Sequence, residues 1–267
     1  MNTTSAANSA KVKQCCANLY QSDFARLLLG ESFHPGGLRL TERLGQLMQL
    51  GQDSRVLDVA SGRGTSAIFL AERFGCKVVG LDYGKESVDA AGTEAAAHGL
   101  SALVEFRQAD AESLPLPANS FDAVICECAF CTFPDKSRAA AEFARVLKPG
   151  GSVGISDLTR AAALPKELDS LLAWIACIAD AQSAEQYAEW LRAAGLEPQT
   201  TEAHDHALVE MVRRVQAKLL AAEIMTGLKK IDLPELDLAT AKEMANAALR
   251  AVQQGRLGYA IIIAHKP

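Results

Sequence analysis

The stretch VLDVASGRGTSAIFLA, residues 56–71, decides the fold class of this chain. Its first part belongs to the apolar run RVLDVA, residues 55–60, which predicts a short buried strand. Gly62 and Gly64 follow, and the segment SAIFLAERFG then has the apolar spacing of a helix. A strand that leads through a glycine turn into a helix is the first half of a βαβ unit.

The same alternation continues through the next hundred residues. Further strands are predicted at residues 77–82, 104–110, 121–127 and 151–157, and helices at residues 85–100 and 137–147. Strands that alternate with helices of ten or more residues indicate parallel βαβ units. We therefore expect an α/β fold with a doubly wound sheet.

Weaker patterns flank this core and predict a division of the chain. Residues 1–50 are expected to form an N-terminal helical lid, and residues 51–206 with 257–267 the α/β domain. The apolar segment GYAIIIAHK, residues 258–266, predicts a last strand. The strongly helical residues 207–256 are predicted to be an insertion that caps the sheet edge.

Composition and charge exclude several classes of protein. The chain has 267 residues, of which 49% are hydrophobic and 22% charged, so wholesale disorder is excluded. A net charge of −5 and a pI near 5.6 argue against a nucleic-acid partner. No apolar run approaches the ~20 residues that a membrane span needs. Seven cysteines and a polar N-terminus predict reduced thiols and a cytoplasmic location, whereas the oligomeric state is not indicated.

The glycine turn is a candidate nucleotide site. Glycines let the backbone approach a ligand closely, and the following helix presents free N–H groups at its N-terminus. The turn alone is weak support, because tight βα turns also contain glycine for steric reasons.

Acidic residues at the ends of the next two predicted strands strengthen this prediction. Asp82 ends the second strand, where a carboxylate can bind a ribose diol. Asp110, Ala111 and Glu112 end the third, where a carboxylate can accept from an adenine amino group. The alternative is that each acidic residue only caps the following helix.

Four segments in sequence resemble the motifs of class I S-adenosylmethionine-dependent methyltransferases. They are VLDVASGRGTSAIFLA, GLDYGKES, QADAESLPLPANSFDAVICECAF and FARVLKPGGSVGISD. The resemblance covers residues ~50–200 and implies a Rossmann-like, seven-stranded sheet whose last strand is antiparallel, with S-adenosylmethionine as the cofactor. On the matching motifs it assigns cofactor binding to Asp58, Ala60, Gly62, Gly64, Asp82, Tyr83, Asp110, Ala111, Glu112 and Glu127.

The first motif departs from the family's pattern at one point. The family commonly has D-x-G-x-G-x-G, and here Ala60 and Ser61 replace the first glycine and its neighbour. Alanine is sterically tolerable at such a turn if its φ is negative, so we expect an intact cofactor site. An NAD-dependent dehydrogenase is the structural alternative, which the spacing disfavours because it differs from G-x-G-x-x-G. An alternative of another class is a cofactor-binding protein without catalysis.

A second cofactor contact is predicted in the N-terminal part. Pro35, Gly36 and Gly37 indicate a loop whose glycines expose N–H groups to the carboxylate of the cofactor's methionine portion. Thr41 is predicted to be the N-cap of a helix that ends at Gly51, and its hydroxyl is a further candidate. A plain connecting turn also explains the glycines.

The cysteines raise a hypothesis about the methyl acceptor. The segment AVICECAFCTFPDK and the later Cys177 resemble the arsenite methyltransferase branch of the family, which implies arsenic binding by Cys128 and Cys177. Cys16, or its neighbour Cys15, is the candidate third thiolate, because the cysteine that this branch carries in its first motif is missing here. A soft metalloid prefers thiolate ligands. The alternative is that these thiols pack as small hydrophobes and the acceptor is an unknown small organic molecule; no resident metal is predicted.

Overall fold

Seven strands form one sheet in the computed structural model. The model describes residues 13–14, 17, 30, 33–165, 168, 178, 180–227 and 237–267. The strands are β1 (Arg55–Val59), β2 (Lys77–Asp82), β3 (Val104–Gln108), β4 (Phe121–Glu127), β5 (Leu147–Arg160), β6 (Glu197–Ala203) and β7 (Leu257–His265). Their order across the sheet is β3-β2-β1-β4-β5-β7-β6.

Helices connect the strands in the described ranges. They are α1 (Leu38–Leu47), α2 (Thr65–Phe74), α3 (Lys85–Ala97), α4 (Lys136–Val146), α5 (Ala184–Ala193), α6 (Asp205–Gly227) and α7 (Leu238–Gln253). A short 3-10 helix, Phe130–Thr132, follows β4. None of these helices is long and apolar enough to cross a bilayer.

The sheet is parallel except for one strand. Strands β3, β2, β1, β4 and β5 pair in parallel, and β7 lies antiparallel between β5 and β6. The predicted seven-stranded, Rossmann-like α/β sheet with an antiparallel last strand is therefore confirmed. The strand order reverses between β1 and β4, and open α/β sheets bind ligands outside the carboxyl ends of the strands at such a point.

Strand β5 is longer than the sequence predicts. It begins at Leu147, four residues before the predicted start at residue 151, and so includes Pro149 and Gly150 ahead of Gly151. Leu147 pairs with Phe121 of β4, and the end of the chain bonds to the glycines, since the amide of Lys266 donates to the Gly151 carbonyl. Pairing with residues distant in the sequence therefore makes a strand of a segment whose local sequence predicts a turn.

Helix α1 also differs from the prediction. It begins at Leu38 with Gly37 as its N-cap, so the prediction of Thr41 as N-cap is wrong. The predicted end at Gly51 is wrong as well, because Gln49 adopts a left-handed φ of 55° and the Leu50 amide donates back to the Gly45 carbonyl. Thr41 consequently lies inside the helix with a fully buried side chain.

Helices α6 and α7 lie between β6 and β7 in the chain. They contact each other through Leu219 of α6 and Ala241 and Ala245 of α7. Other residues of α7, such as Ala248 and Val252, belong to the main core. The division into lid, α/β domain and inserted cap stays a prediction, and most of residues 1–32 lie outside the described residues.

Candidate functional site

A cavity opens at the carboxyl ends of β1, β2 and β4, beside the reversal in strand order. It has a volume of about 1270 Å³ including its open mouth. Asp58, Asp82 and Glu127 bring a carboxylate to its wall from each of these three strands. Three acidic groups in one cavity favour a ligand that carries positive charge or hydrogen-bond donors.

The turn after β1 reverses the chain through left-handed residues. Ala60 has a φ of 60°, so the turn does not meet the condition of a negative φ under which an alanine fits without strain. The turn needs this conformation because the next amide, that of Ser61, donates to the Leu81 carbonyl of β2 at 2.9 Å. A left-handed residue other than glycine costs roughly 1–2 kcal/mol. Gly62 also lines the cavity, and it faces open space there, since a side-chain carbon added at Gly62 meets no atom within 4 Å.

Gly64 and Gly80 allow the turn to pack closely on the sheet. A Cβ added at Gly64 lies 2.4 Å from Cζ of Phe106, and one added at Gly80 lies 2.3 Å from Cδ1 of the same ring. Gly80 is paired in register with Asp58 on one side and Phe106 on the other. The Phe106 ring therefore fills the space that both glycines leave free, and it fixes the height of the turn above the sheet.

Asp82 holds the two loops that border the cavity. Its Oδ2 accepts from the Gly62 amide and its Oδ1 from the Gly84 amide, both at 2.8 Å. Burial raises the pKa of Asp82, and these two amides act in the opposite direction. Each carboxylate oxygen keeps one lone pair for a further donor.

Glu127 lies at the centre of a buried hydroxyl network. Its side chain is 4% exposed and accepts from Thr41 at 3.0 Å, from Ser66 at 2.6 Å and from Ser156 at 3.2 Å. The Tyr259 hydroxyl lies 3.1 Å from both the carbonyl oxygen and the Oγ of Ser156. Burial raises the pKa of Tyr259 well above its usual value, so this hydroxyl keeps its proton and donates.

His34 closes the network on the side of the loop before α1. Its Nε2 lies 3.8 Å from Oε2 of Glu127, and its Nδ1 lies 3.3 Å from the Pro35 carbonyl. The side chain is buried and lines the cavity. The network thus joins α1 and the preceding loop to β4, β5 and β7.

Asp58 differs from the other two carboxylates. It is 2% exposed, and its Oδ2 has no hydrogen-bond partner among the described residues. Burial raises the pKa of Asp58 well above its usual value, and the negative charges of Glu127 and Asp82 raise it further. Oγ of Ser61 is also buried without a hydrogen-bond partner there. Two unpartnered polar atoms on one cavity wall fit a bound ligand that supplies the missing contacts.

The side chain of Lys13, in the N-terminal part of the chain, contacts two acidic residues that follow β3. Its Nζ bonds both carboxylate oxygens of Asp110, at 2.9 and 2.8 Å, and also Glu112. Burial lowers the pKa of Lys13, but these two partners outweigh it and leave the pKa raised. The second oxygen of Glu112 accepts from the Asp135 amide at 2.8 Å, so Glu112 ties the loop after β3 to the start of α4.

The described cysteines divide into one cavity residue and three core residues. Cys128 lines the cavity with a left-handed φ of 51°, and its amide donates to the Ser156 carbonyl at 2.6 Å. Cys76, Cys126 and Cys131 are buried in the hydrophobic core. Cys15, Cys16 and Cys177, and with them the remaining ligands of the arsenite hypothesis, lie outside the described residues.

The sequence-predicted cofactor residues fall into two sets. Those on the cavity wall are Asp58, Ala60, Gly62, Asp82, Tyr83, Asp110, Ala111 and Glu127. Those that do not line the cavity are Gly36, Gly37, Thr41, Gly64 and Glu112. Among these, Gly36 packs on Leu40, and the Thr41 hydroxyl donates to Glu127. Residues that the sequence did not single out are Lys13, Ser66, Ser156 and Tyr259, which come together only through the tertiary fold. His34 belongs to the segment 34–37 that is predicted as a second cofactor contact, but only the two glycines of that segment are given a role.

Known proteins resemble this chain in sequence and structure. Residues 57–155 match the model of a family described as a methyltransferase domain. The 27-O-demethylrifamycin SV methyltransferase of Amycolatopsis mediterranei (strain S699) is 28% identical over an alignment of 261 positions that covers 92% of this chain and 94% of that protein.

Two solved structures share the fold. The (4+2) cyclase SpnF has a TM-score of 0.74 and 26% identity, and the match covers 97% of each chain. Phosphoethanolamine N-methyltransferase 2 of Haemonchus contortus, solved with phosphomonomethylethanolamine and S-adenosylhomocysteine, has a TM-score of 0.80 and 19% identity. That match covers 96% of this chain but only 60% of the nematode protein. Each match covers nearly the whole of this chain, so the likeness lies in the fold.

Proposed function

The chain is a class I S-adenosylmethionine-dependent methyltransferase, and from this premise we propose that it methylates a small organic acceptor held beside Cys128. The observation that carries the proposal is the composition of the cavity wall. The wall combines strand-end carboxylates with the apolar residues Phe33, Phe133 and Ala129, and Cys128 lies on it as well. The carboxylates suit a polar cofactor, and the apolar side chains suit an apolar acceptor.

The residues around the glycine turn fit the cofactor. Asp82 has lone pairs left for the two ribose hydroxyls, and Asp110 and Ala111, which line the same cavity, are the proposed adenine contacts. The unpartnered Asp58 Oδ2 and Ser61 Oγ are available to the donors of its methionine portion. Glu127, fixed by three hydroxyls, supplies a negative charge on the same wall.

The chemistry that the cofactor supplies is an activated methyl group on a sulfonium. This chain's residues then act by holding the acceptor's nucleophilic atom in line with that methyl and by excluding water. The buried carboxylates Asp58 and Glu127 would attract the positively charged cofactor, and Phe33 and Phe133 would orient an apolar acceptor. Because these carboxylates repel an anion, the proposed acceptor is uncharged or cationic near its reacting atom.

Named relatives support a small-molecule acceptor without fixing its identity. The rifamycin SV and phosphoethanolamine enzymes are named after small molecules of different chemistry. The cyclase shows that the same fold also carries a reaction not named as methyl transfer. Turnover of the cofactor is therefore the first quantity to measure.

Arsenite held by thiolates is the second candidate acceptor, and the position of Cys128 favours it. A trithiolate needs two further thiols, and among the described residues Cys128 is the one cysteine on the cavity wall. Cys16 and Cys177 are the proposed partners from the sequence. A cytoplasmic location, predicted from the cysteines, fits either acceptor.

One experiment separates these proposals. The protein is incubated with methyl-labelled S-adenosylmethionine and either a panel of small amines, phenols and thiols or arsenite with glutathione. Labelled organic product that persists in Cys128→Ser supports the organic acceptor. Labelled arsenic product that disappears in Cys128→Ser supports the metalloid, because a hydroxyl is a poor ligand for a soft centre. If S-adenosylmethionine binds but no S-adenosylhomocysteine forms with any acceptor of the panel or with arsenite, methyl transfer to these classes is refuted.

A further inference from the structure

Three polar side chains lie in a row across one face of the sheet. Glu127 of β4 is paired in register with Ser156 of β5, and residues paired in this way point to the same face. Tyr259 of β7 is paired with Leu158, two residues after Ser156, so its side chain lies on that face and diagonally opposite Ser156. Glu127 lines the cavity, whereas Ser156 and Tyr259 are fully buried and do not.

The hydrogen bonds along this row have one direction. The Tyr259 hydroxyl lies 3.1 Å from Oγ of Ser156, and that Oγ lies 3.2 Å from Oε1 of Glu127. The Ser156 hydroxyl has a single proton, and a carboxylate is a stronger acceptor than a phenol oxygen. The Ser156 proton is therefore donated to Glu127, and the Ser156 oxygen accepts from Tyr259. Burial raises the pKa of Tyr259 well above its usual value, which keeps the donated proton on the phenol.

The three hydroxyls leave the Glu127 carboxylate little freedom. A carboxylate offers about four acceptor sites. Ser156 donates to Oε1, Ser66 donates to Oε2, and the Thr41 hydroxyl lies 3.3 and 3.0 Å from the two oxygens. Three protons occupy three of the sites, so the direction of the remaining site depends on how these hydroxyls hold the carboxylate.

We propose that Tyr259 is a positioning residue for the cofactor, because through Ser156 it holds the Glu127 carboxylate with its remaining acceptor site toward the cavity. Tyr259 does not itself touch the cofactor. Without its hydroxyl, the Ser156 hydroxyl loses the donor that orients it and becomes a weaker donor to Glu127, since linked hydrogen bonds polarise one another. The inference rests on the proposed role of Glu127 in cofactor binding.

Tyr187 is a matched control for a purely structural role. It is also fully buried, and its hydroxyl donates to the Leu158 carbonyl of β5 at 3.0 Å, much as Tyr259 lies 3.1 Å from the Ser156 carbonyl. Tyr187 does not line the cavity, and its hydroxyl accepts from the Gln182 amide. A tyrosine that only satisfies buried polar groups should lose stability on replacement by phenylalanine and leave cofactor affinity unchanged.

Calorimetry with S-adenosylhomocysteine and unfolding in urea test the proposal. Tyr259→Phe should weaken the affinity for S-adenosylhomocysteine by about three- to tenfold. Ser156→Ala should weaken it at least as much, because it removes the donor to Glu127. In the Ser156→Ala variant, Tyr259→Phe should have little further effect on affinity, because Tyr259 acts through Ser156. Tyr187→Phe should lower the free energy of unfolding and bind the ligand as wild type does.

Several outcomes overturn the inference. They are wild-type affinity in Tyr259→Phe, an equal loss with and without Ser156→Ala, or an equal loss in Tyr187→Phe, which would indicate a general loosening of β5. If Tyr259→Phe does not fold, the affinity of Ser156→Ala decides, since a wild-type value refutes the route through Ser156.

Glu127→Gln separates this inference from the proposed function. If Glu127→Gln binds S-adenosylhomocysteine as wild type does, the role of Glu127 is refuted and the inference with it. Wild-type affinity in Tyr259→Phe together with weakened binding in Glu127→Gln refutes the inference alone. A wild-type protein that does not bind S-adenosylhomocysteine overturns the placement of the cofactor and therefore both.

Discussion

Replacing Asp82 with asparagine should weaken both the fold and cofactor binding. The carboxylate bonds two backbone amides at 2.8 Å, one in each loop beside the cavity. An asparagine side chain has one acceptor oxygen, so its amino group must face one of those N–H groups. One hydrogen bond to a charged group is lost, and a donor near the cavity wall is left unpaired.

The size of the loss follows from these contacts. A hydrogen bond to a charged group contributes about 1.5–3 kcal/mol, so we expect the free energy of unfolding to fall by about 2–3 kcal/mol. For a chain of this size that corresponds to a decrease in Tm of roughly 4–12 °C. Loss of at least one ribose contact should in addition weaken cofactor binding by about tenfold or more.

Thermal melts with and without S-adenosylhomocysteine measure both effects. At a ligand concentration of about 100 times the wild-type Kd, the ligand stabilises wild type by about 2.7 kcal/mol. A tenfold weaker variant gains about 1.4 kcal/mol at the same concentration, so the ligand-induced rise in Tm should be halved. Asp89→Asn, an exposed change of the same chemistry, serves as the control. An unchanged Tm in the ligand-free variant would refute the structural role of Asp82, and an undiminished ligand-induced shift would refute its role in binding.

Three further changes test other contacts. Gly80→Ala should destabilise the protein by about 1–3 kcal/mol because the added Cβ overlaps the Phe106 ring. Phe106→Ala should cost less stability in the Gly80→Ala variant than in wild type. Additive costs of the two changes in urea unfolding would contradict this packing. Lys13→Met should cost about 1–2 kcal/mol by leaving Glu112 without its cation, and a cost that does not shrink at ~1 M salt would argue against an electrostatic origin. The pKa of Asp58 is raised on folding, so the stability that this residue contributes is full below the unfolded-state pKa of ~3.9 and declines as the pH rises through the folded-state pKa. The Asp58→Asn variant should remove this decline. A variant whose free energy of unfolding in urea has the wild-type pH profile would contradict the prediction.

The sequence predicts those parts of the site that depend on strand ends. Asp58, Asp82 and Asp110 lie at or near the ends of apolar runs, and parallel strands bring their carboxyl ends to one edge of a sheet. A local pattern is therefore enough to predict that these three carboxylates share one cavity, whereas Glu127 is assigned only through the resemblance to the methyltransferase motifs.

Other parts of the site depend on contacts that no local pattern encodes. Ser156 and Tyr259 meet because β5 pairs with β7 across about a hundred residues, and Tyr259 reads in the sequence only as part of an apolar strand. Thr41 looks like an N-cap because of its residue type, but its hydroxyl is used by Glu127 of another element. The φ of Ala60 is set by the bond from the following amide to β2, which sequence reasoning did not include.

The position of β7 between β5 and β6 has a consequence for biosynthesis. During translation β5 and β6 leave the ribosome well before residues 257–265, so each has an unpaired edge until β7 inserts between them. Exposed edges of this kind invite pairing with other nascent chains. Since β7 also carries Tyr259, the hydroxyl network around Glu127 is completed only at that insertion. A ribosome stalled upstream of residue 257 would thus display a sheet that ends at β5, with β6 left without its partner strand.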